Sequence, residues 1–487
     1  MKWKSKINHP LVLRIEGFLL LVEGFFMLTV LPVTYLHHGN YAFSMPFSAL
    51  ITLLTGVVLL IATRGHKKEK TTSRDGVFIV CVSWLVLSLF GAMPYLLSKS
   101  VPNFTDGFFE ALSGFTTTGA SVLRHLESVP KDILLWRSMT QWIGGLVIIV
   151  FTIAILPFLS MGGMQLFVSE MNGINYDKLH PRIMHTARRI WFIYLFFTLL
   201  ETLLLYWGDM DFYDAVCHSM ATISSGGFST RTANMGAFSH YSQVVVSVFM
   251  LLSGCNFSLL LLSLSWKSFT ILKNQEFRTF LLYILFASLG IGLVLLFVCH
   301  DSLGTAFRDA FFSVISSMTT TGFFVGDYTA WPAFISIILF LLLFIGACSG
   351  STSGGIKIIR HLIFVRNSML ELKRIIHPNA VLPVKINGKA ISTGSVYKNV
   401  TFIFIYFLVF IVGGIILLFT GSDFNTALGA SAAALSNVGT GIGGVGPGGS
   451  YVVFSLFAKW VLMLLMILGR VELFSLLTLF SRNFWKN

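Results

Sequence analysis

The sequence predicts an all-α polytopic membrane protein: four pseudo-symmetric helix–pore-loop–helix repeats around one pore, preceded by an N-terminal helix pair. Three observations predict it. The chain of 487 residues is 55% hydrophobic and only 11% charged, where a soluble domain carries about 25% charged residues. Apolar runs long enough to span a bilayer, about 20 residues, recur from end to end. A sixteen-residue segment recurs four times between those runs, and such internal repetition decides architecture before any local reading does.

Ten candidate spans lie near 11–36, 44–63, 77–98, 133–160, 188–208, 241–265, 278–299, 332–365, 399–420 and 452–480. The first follows the basic stretch Met1–Lys6. It is too long for a signal peptide and lacks a small-residue cleavage site. With the N-terminus inside, 26 of the 34 Lys and Arg fall on inner segments and six on outer ones, while Lys459 and Arg470 lie within the last span. Basic residues gather on the cytoplasmic side, so both termini are expected in the cytoplasm of a multi-pass plasma-membrane (bacterial inner-membrane) protein. The net charge of +13 is then a topology signal and an attraction to anionic membrane lipid, not a nucleic-acid footprint. Cys81, Cys217, Cys255, Cys299 and Cys348 are scattered without a C-x-x-C spacing, which indicates neither a disulfide framework nor a zinc site. The units divide as an N-terminal two-helix unit over 1–70 and repeats over 71–165, 166–270, 271–390 and 391–487.

The repeated segment reads FTDGFFEALSGFTTTG (Phe104–Gly119), FYDAVCHSMATISSGG (Phe212–Gly227), FRDAFFSVISSMTTTG (Phe307–Gly322) and FNTALGASAAALSNVG (Phe424–Gly439). Each copy opens on Phe. Two residues later stands Asp106, Asp214, Asp309 or Thr426, a good helix N-cap. An apolar stretch of about 11 residues follows, worth about 16 Å of helix at about 1.5 Å per residue. That reaches the middle of a bilayer and no further. Each copy therefore predicts a re-entrant half-helix and an extended return. Small residues at helix-packing positions would explain one copy, but not four gapless copies on one side of the membrane. Non-helical backbone at that depth survives only when buried in protein or lining water. Four such loops can ring one axis, where their carbonyl oxygens replace the hydration shell of a cation. Glycine permits the required backbone angles, and the negative ends of the half-helices favour a cation between them. The acidic caps are expected to draw cations to the outer mouth.

The quartet TTTGA, SSGGF, TTTGF and SNVGTG, together with GACSGSTSGGIKIIR (Gly346–Arg360) and LMLLMILGRVELF (Leu462–Phe474), resembles the potassium-uptake superfamily of Trk, Ktr and HKT proteins. The helix pair near 11–63 is similar to the Trk membrane-subunit branch. The resemblance implies a potassium-translocating subunit, a homodimer with one pore per protomer, and a cytosolic nucleotide-binding regulatory partner of the RCK type. It places the potassium-binding filter on Thr117, Thr118 and Gly119; Ser225, Gly226 and Gly227; Thr320, Thr321 and Gly322; and Asn437, Val438 and Gly439. In plant relatives a serine at the first filter glycine goes with sodium permeability, so glycine at all four positions favours potassium. The fourth copy departs from the pattern, with Thr426 in place of aspartate and extra glycines in NVGTGIGGVG.

GACSGSTSGG interrupts the eighth candidate span. Glycine and serine lower helix stability there and free backbone polar groups, which need water or protein partners. The resemblance implies an intramembrane loop that obstructs the pore, with Gly346, Gly350, Ser351, Thr352, Ser353, Gly354 and Gly355 as its gate. A kinked helix is the alternative. Lys357 does not directly follow a glycine as a Walker A lysine must, so a phosphate loop is excluded. Arg470 lies deep in the last span, where an ionisable group is a functional candidate. It is expected to face the cavity and join the gate, with an ion pair to Glu472 as the alternative. Lys459 either snorkels or pairs with a pore-helix end. Glu201 has no assigned role.

His37, His38, His180, His185 and His218 form no ligand spacing, and His218 is expected to pack. No cluster of nucleophile and base suggests an enzyme. A sodium- or proton-coupled alternating-access symporter is the competing transport reading. That class uses inverted repeats, whereas the four copies here share one orientation.

Overall fold

The structure, a computed structural model, describes residues 7–36, 42–65, 72–159, 179–264 and 270–485. Lys2, Lys4, Lys6, Lys67, Lys68, Lys70, Lys178, Lys267 and Lys486, which entered the orientation count, lie outside the described residues, as do His37 and His38.

Helices α1 (His9–Leu36) and α2 (Ser44–Ala62) form the N-terminal pair. Lipid tails are as apolar as leucine, so helices in a bilayer associate through close packing of small residues. Gly17 and Gly56 supply it. A Cβ built on Gly56 would stand 2.9 Å from the Gly17 carbonyl oxygen.

The same helix order then recurs four times. Copy one comprises α3 (Ser73–Gly91), α4 (Phe104–Phe115) and α5 (Lys131–Leu159). Copy two comprises α6 (Leu179–Tyr206), α7 (Phe212–Ile223), α8 (His240–Ser253) and α9 (Phe257–Leu264). Copy three comprises α10 (Gln275–Val298), α11 (Leu303–Met318), α12 (Ala333–Leu342) and α13 (Ile358–Ile376). Copy four comprises α14 (Thr393–Phe419), α15 (Phe424–Leu435), α16 (Leu456–Arg470) and α17 (Leu473–Leu479). Among the described residues, six helices are long and apolar enough to cross a membrane unaided, and α16 with α17 adds a pair bent by 117°. The chain is a multi-pass membrane protein.

Three candidate spans are broken, the eighth where GACSGSTSGG interrupts it and the sixth and tenth where the sequence predicts a continuous span. The sixth stops at Ser253 and restarts at Phe257, where the Asn256 side chain accepts from the Ser258 and Leu259 amides at 2.9 and 3.2 Å. That is an N-cap inside a span, and it satisfies donors that lipid could not. The eighth is no kinked helix, because residues 343–357 leave helical geometry altogether. The tenth turns at Val471–Glu472, with Glu472 at φ +59°.

The short helices α4, α7 and α15 have 12 residues each and α11 has 16. Their caps differ from the sequence expectation. The capping side chains are Asn103, Asp211, Ser302 and Asp423, which accept from the amides of Asp106, Asp214, Thr305 and Thr426. Asp106, Asp214 and Thr426 instead sit at the third helical position. Asp309 lies further along, because α11 starts four residues before its Phe307. A cap must stand outside the helix to reach the amide three residues on, so the residue before the Phe is the cap in copies one, two and four, where the Phe is the first helical residue.

Candidate functional site

All four short helices end in one way. In each, the residue two before the glycine that closes the repeated segment takes a left-handed conformation: Thr117 at φ +50°, Ser225 at +56°, Thr320 at +56° and Asn437 at +54°. Its amide donates to the carbonyl three residues back, and the next amide donates five residues back: Thr118 to Ser113 O at 2.8 Å, Gly226 to Ala221 O at 2.8 Å, Thr321 to Ser316 O at 3.0 Å, Val438 to Ala433 O at 2.9 Å. This is a Schellman cap, built four times with Thr, Ser, Thr and Asn where glycine is usual. Left-handed non-glycine residues store roughly 1–3 kcal/mol each, and such strain gathers at functional sites.

The glycines then close a ring. Gly119, Gly227, Gly322 and Gly439 sit at φ +79°, +76°, +77° and +78°. A Cβ on Gly119 would stand 2.2 Å from the carbonyl oxygen of Gly226, and one on Gly227 1.8 Å from that of Thr321. One on Gly322 would stand 1.9 Å from that of Val438, and one on Gly439 2.3 Å from that of Thr118. Each glycine thus packs on the carbonyl preceding the next copy's glycine, and the fourth packs on the first. All twelve residues assigned from sequence are brought together, eleven of them buried and Gly119 half-buried.

Residues Gly346–Gly355 form a loop whose ends are tied by a parallel bridge between Ile345 and Ile356. Its tip abuts the ring. Thr352 Oγ1 meets Ser225 Oγ at 2.7 Å and donates to Ile223 O at 3.2 Å. The Gly354 amide donates to Thr320 Oγ1 at 2.7 Å. A Cβ on Gly354 would stand 2.3 Å from Ser436 O. Copies two, three and four are therefore all touched. Arg470 Nη1 donates to Thr352 O at 2.8 Å and Nη2 to Gly144 O at 3.4 Å. Arg470 is not paired with Glu472, which meets Arg360 at 2.9 Å instead. Lys357 Nζ donates to Ser353 O and to its Oγ. Gly346 lies at the loop's base, and Gly350 packs on Asn256 at the break between α8 and α9, away from the ring.

Two cavities flank this assembly. One of about 540 Å³ is lined by all four glycines together with Arg124, Arg137, Arg231 and Tyr451. The other, of about 110 Å³, lies against Gly350–Ser351 and Ser353–Gly355, with Lys357, Arg470 and Glu472.

The half-helix carboxylates are paired rather than free to attract cations. Asp106 meets Lys459 at 2.6 Å, Asp214 meets Arg231 at 2.6 Å, and Asp309 meets Arg308 at 2.7 Å. Outside the spans, Glu127 accepts from Thr232 Oγ1 at 2.6 Å and its amide at 2.7 Å, and these bonds hold its carboxyl below the usual range. His218 is buried, with Nδ1 at 2.8 Å from Asp214 O and Nε2 at 2.9 Å from Ser229 Oγ.

The sequence reading missed three buried residues at the ring. Glu110 accepts from Arg137 Nε at 2.6 Å, the Val122 amide at 2.9 Å and Ser121 Oγ at 2.9 Å. Arg137 donates on to Ser229 O at 2.9 Å and lies 3.5 Å over the Phe228 ring, so this pair ties the returns of copies one and two. Gln141 contacts Gly226 and Phe228. The available signal was their position, because each interrupts an apolar run.

Comparison with known proteins shows the family to which the fold belongs. The family model described as TrkH, cation transport protein, matches residues 45–487. The Trk system potassium uptake protein TrkH of Salmonella typhimurium is 39% identical over 491 residues, covering 98% of this chain and 99% of that protein. TrkG of Escherichia coli is 37% identical over 424 residues, covering 85% and 86%. The crystal structure of the potassium transporter TrkH from Vibrio parahaemolyticus superposes with a TM-score of 0.90 at 36% identity, covering 98% of this chain and all of that one. The chain belongs to the TrkH family of cation transport proteins.

Proposed function

We propose that this chain takes up potassium across the plasma membrane through a ring of backbone carbonyls, gated by the loop Gly346–Gly355. The observation that carries this reading is the cyclic packing of Gly119, Gly227, Gly322 and Gly439 on one another's neighbouring carbonyls. It brings four chain segments of one sense around a single axis, as a carbonyl filter requires. The similarity to proteins named for potassium uptake supports the choice of ion.

In this reading Thr117–Gly119, Ser225–Gly227, Thr320–Gly322 and Asn437–Gly439 exchange the ion's water for carbonyl oxygen. The loop blocks the path beneath them, and Arg470 holds its tip by donating to Thr352 O. Opening requires that tip to leave Ser225 and Thr320. No covalent bond is made or broken, so the chain acts as a transporter and not an enzyme. The excess of Lys and Arg on one set of connections supports cytoplasmic termini. Assembly as a homodimer and docking of a cytosolic RCK-type nucleotide-binding subunit belong to the same reading and follow from the resemblance, while the repeat boundaries near 70, 165, 270 and 390 follow from the spans and the fourfold repeat. The breaks in α8/α9 and α16/α17 are parts a coupled carrier would also use, but a ring closed by four copies of one orientation favours a standing pore.

Rubidium uptake into proteoliposomes, with sodium as competitor, tests the proposal for the wild type and Gly119→Ser. Selective rubidium uptake that relaxes toward sodium in the variant supports the ring. Uptake indifferent to Gly119 returns the carrier reading.

A further inference from the structure

The four copies are not equal at the position before the ring glycine. Copies one, three and four carry Thr118, Thr321 and Val438; copy two carries Gly226. In copies one and three the threonine is tied locally, with Thr118 Oγ1 at 2.8 Å from Thr116 Oγ1 and Thr321 Oγ1 at 2.8 Å from Thr319 Oγ1. Copy two has no side chain to be tied. The vacant space is filled from α5 by Gln141, which is fully buried. A Cβ on Gly226 would stand 2.4 Å from Gln141 Cδ, so the missing side chain and the glutamine occupy one volume.

The glutamine is held at both ends of its amide. Gln141 Nε2 donates to Gly226 O at 2.6 Å, and Gln141 Oε1 accepts from the Phe228 amide at 3.1 Å. One partner is a pure acceptor and the other a pure donor, so the network allows one amide orientation. The two bonds bracket Gly227. Gly226 O is also the oxygen on which Gly119 packs. Gln141 therefore acts on the carbonyl that joins copy one to copy two in the ring.

We propose that Gln141 is a positioning residue that sets ion specificity by holding the Gly226 carbonyl. The inference rests on the carbonyl-ring reading above. A carbonyl oxygen has two lone pairs. Gln141 occupies one and leaves the other for the ion. The bond keeps the oxygen from swinging toward the axis and lowers the negative field it presents there. Discrimination between ions of one charge and different radius depends on both the size of the coordinating ring and the field strength of its carbonyls. Releasing this oxygen admits the smaller ion.

The test measures rubidium uptake against sodium competition in proteoliposomes for the wild type, Gln141→Met, Gln141→Glu and the pair Gln141→Ala with Gly226→Thr. Gln141→Met removes both bonds. Gln141→Glu keeps the acceptor for Phe228 and removes the donor to Gly226. Both single variants are expected to lower the rubidium-to-sodium preference roughly two- to tenfold, the worth of one buried hydrogen bond. The double variant rebuilds copy two in the manner of copies one and three, and is expected to recover preference relative to Gln141→Met. Monodispersity in detergent is measured alongside, because a merely structural role would lower it and total uptake together at an unchanged ion ratio. That result, or a wild-type ratio in Gln141→Glu, overturns the proposal. A wild type without rubidium preference, or one untouched by Gly119→Ser, instead condemns the ring reading itself.

Discussion

Asn437 Nδ2 donates to Thr118 Oγ1 at 2.9 Å across 319 residues of chain, and also to Met466 O at 2.9 Å. The last copy of the repeated segment is thereby fastened to the first and to α16. Asn437 is also left-handed, at φ +54°, a conformation asparagine tolerates better than most residues. Asn437→Ala should lose both bonds and add backbone strain, about 2–3 kcal/mol in total. Asn437→Gly loses the bonds without the strain, so its thermal midpoint in detergent should lie above that of the alanine variant. The reverse order would mean that the left-handed cap carries no strain.

Gly227→Ala should disable transport more than a change at any residue one turn away. Its Cβ would stand 1.8 Å from Thr321 O, at φ +76°. Something must move by more than an ångström, and that oxygen is one the ring presents. Rubidium uptake should fall at least tenfold while the protein remains monodisperse. Near-normal uptake would show that the ring is more pliable than its packing implies.

Removing one partner of the Glu110–Arg137 pair leaves a buried charge alone. Such losses cost about 3–5 kcal/mol, whereas replacing both partners with apolar groups costs far less. Glu110→Gln and Arg137→Met should each destabilise strongly, and the double variant less than their sum. A double-mutant cycle on thermal unfolding measures the coupling, and additivity would deny the pairing. Lys459→Met with Asp106→Asn should behave likewise, because that pair is equally buried.

The loop tip is held by a charge-assisted bond from Arg470 to Thr352 O. Hydrogen bonds to charged groups contribute about 1.5–3 kcal/mol. If the loop closes the path, Arg470→Met should raise basal rubidium flux roughly ten- to hundredfold. Replacing Lys357 by Met should act in the same direction, since Lys357 grips Ser353. Reduced flux in both would assign these residues to conduction instead of closure.

Helix capping offers a control away from the ring. Asn103→Ala and Asp211→Ala should each cost about 1 kcal/mol in stability. Asp309→Ala should cost less, because Asp309 caps nothing and pairs with Arg308 at a part-exposed site. An equal loss at Asp309 would restore its reading as a cap.

Much of this architecture was legible in the residues. Membrane location follows from composition, because no soluble core is compatible with so few charges. The half-helices follow from length, because an apolar stretch that short cannot cross a bilayer. The four glycines follow from gapless repetition. The caps were misplaced by three residues in copies one, two and four, since Asn103, Asp211 and Asp423 stand just ahead of the aligned Phe and outside the repeat as it was drawn, and by seven in copy three, where Ser302 is the cap. Glu110, Arg137 and Gln141 were passed over because a polar residue in an apolar run reveals nothing of its partner. The carboxylates thought to attract cations proved to be paired with basic residues: Arg231 and Arg308 had been counted only as topology signals, whereas Lys459 meets Asp106 as its pore-helix reading expected.

The sequence by itself determined the membrane class, the repeated unit and the glycine of each copy. These depend on composition, on segment length against bilayer thickness, and on local backbone angles, which are properties of a stretch of chain. Only the tertiary structure decided that Gly119, Gly227, Gly322 and Gly439 meet in cyclic order, that the loop tip reaches Ser225 and Thr320, and that Gln141 fills the space left by Gly226. Each of these joins segments far apart in the chain. Such contacts depend on where whole helices come to rest against one another, and no local pattern carries that information.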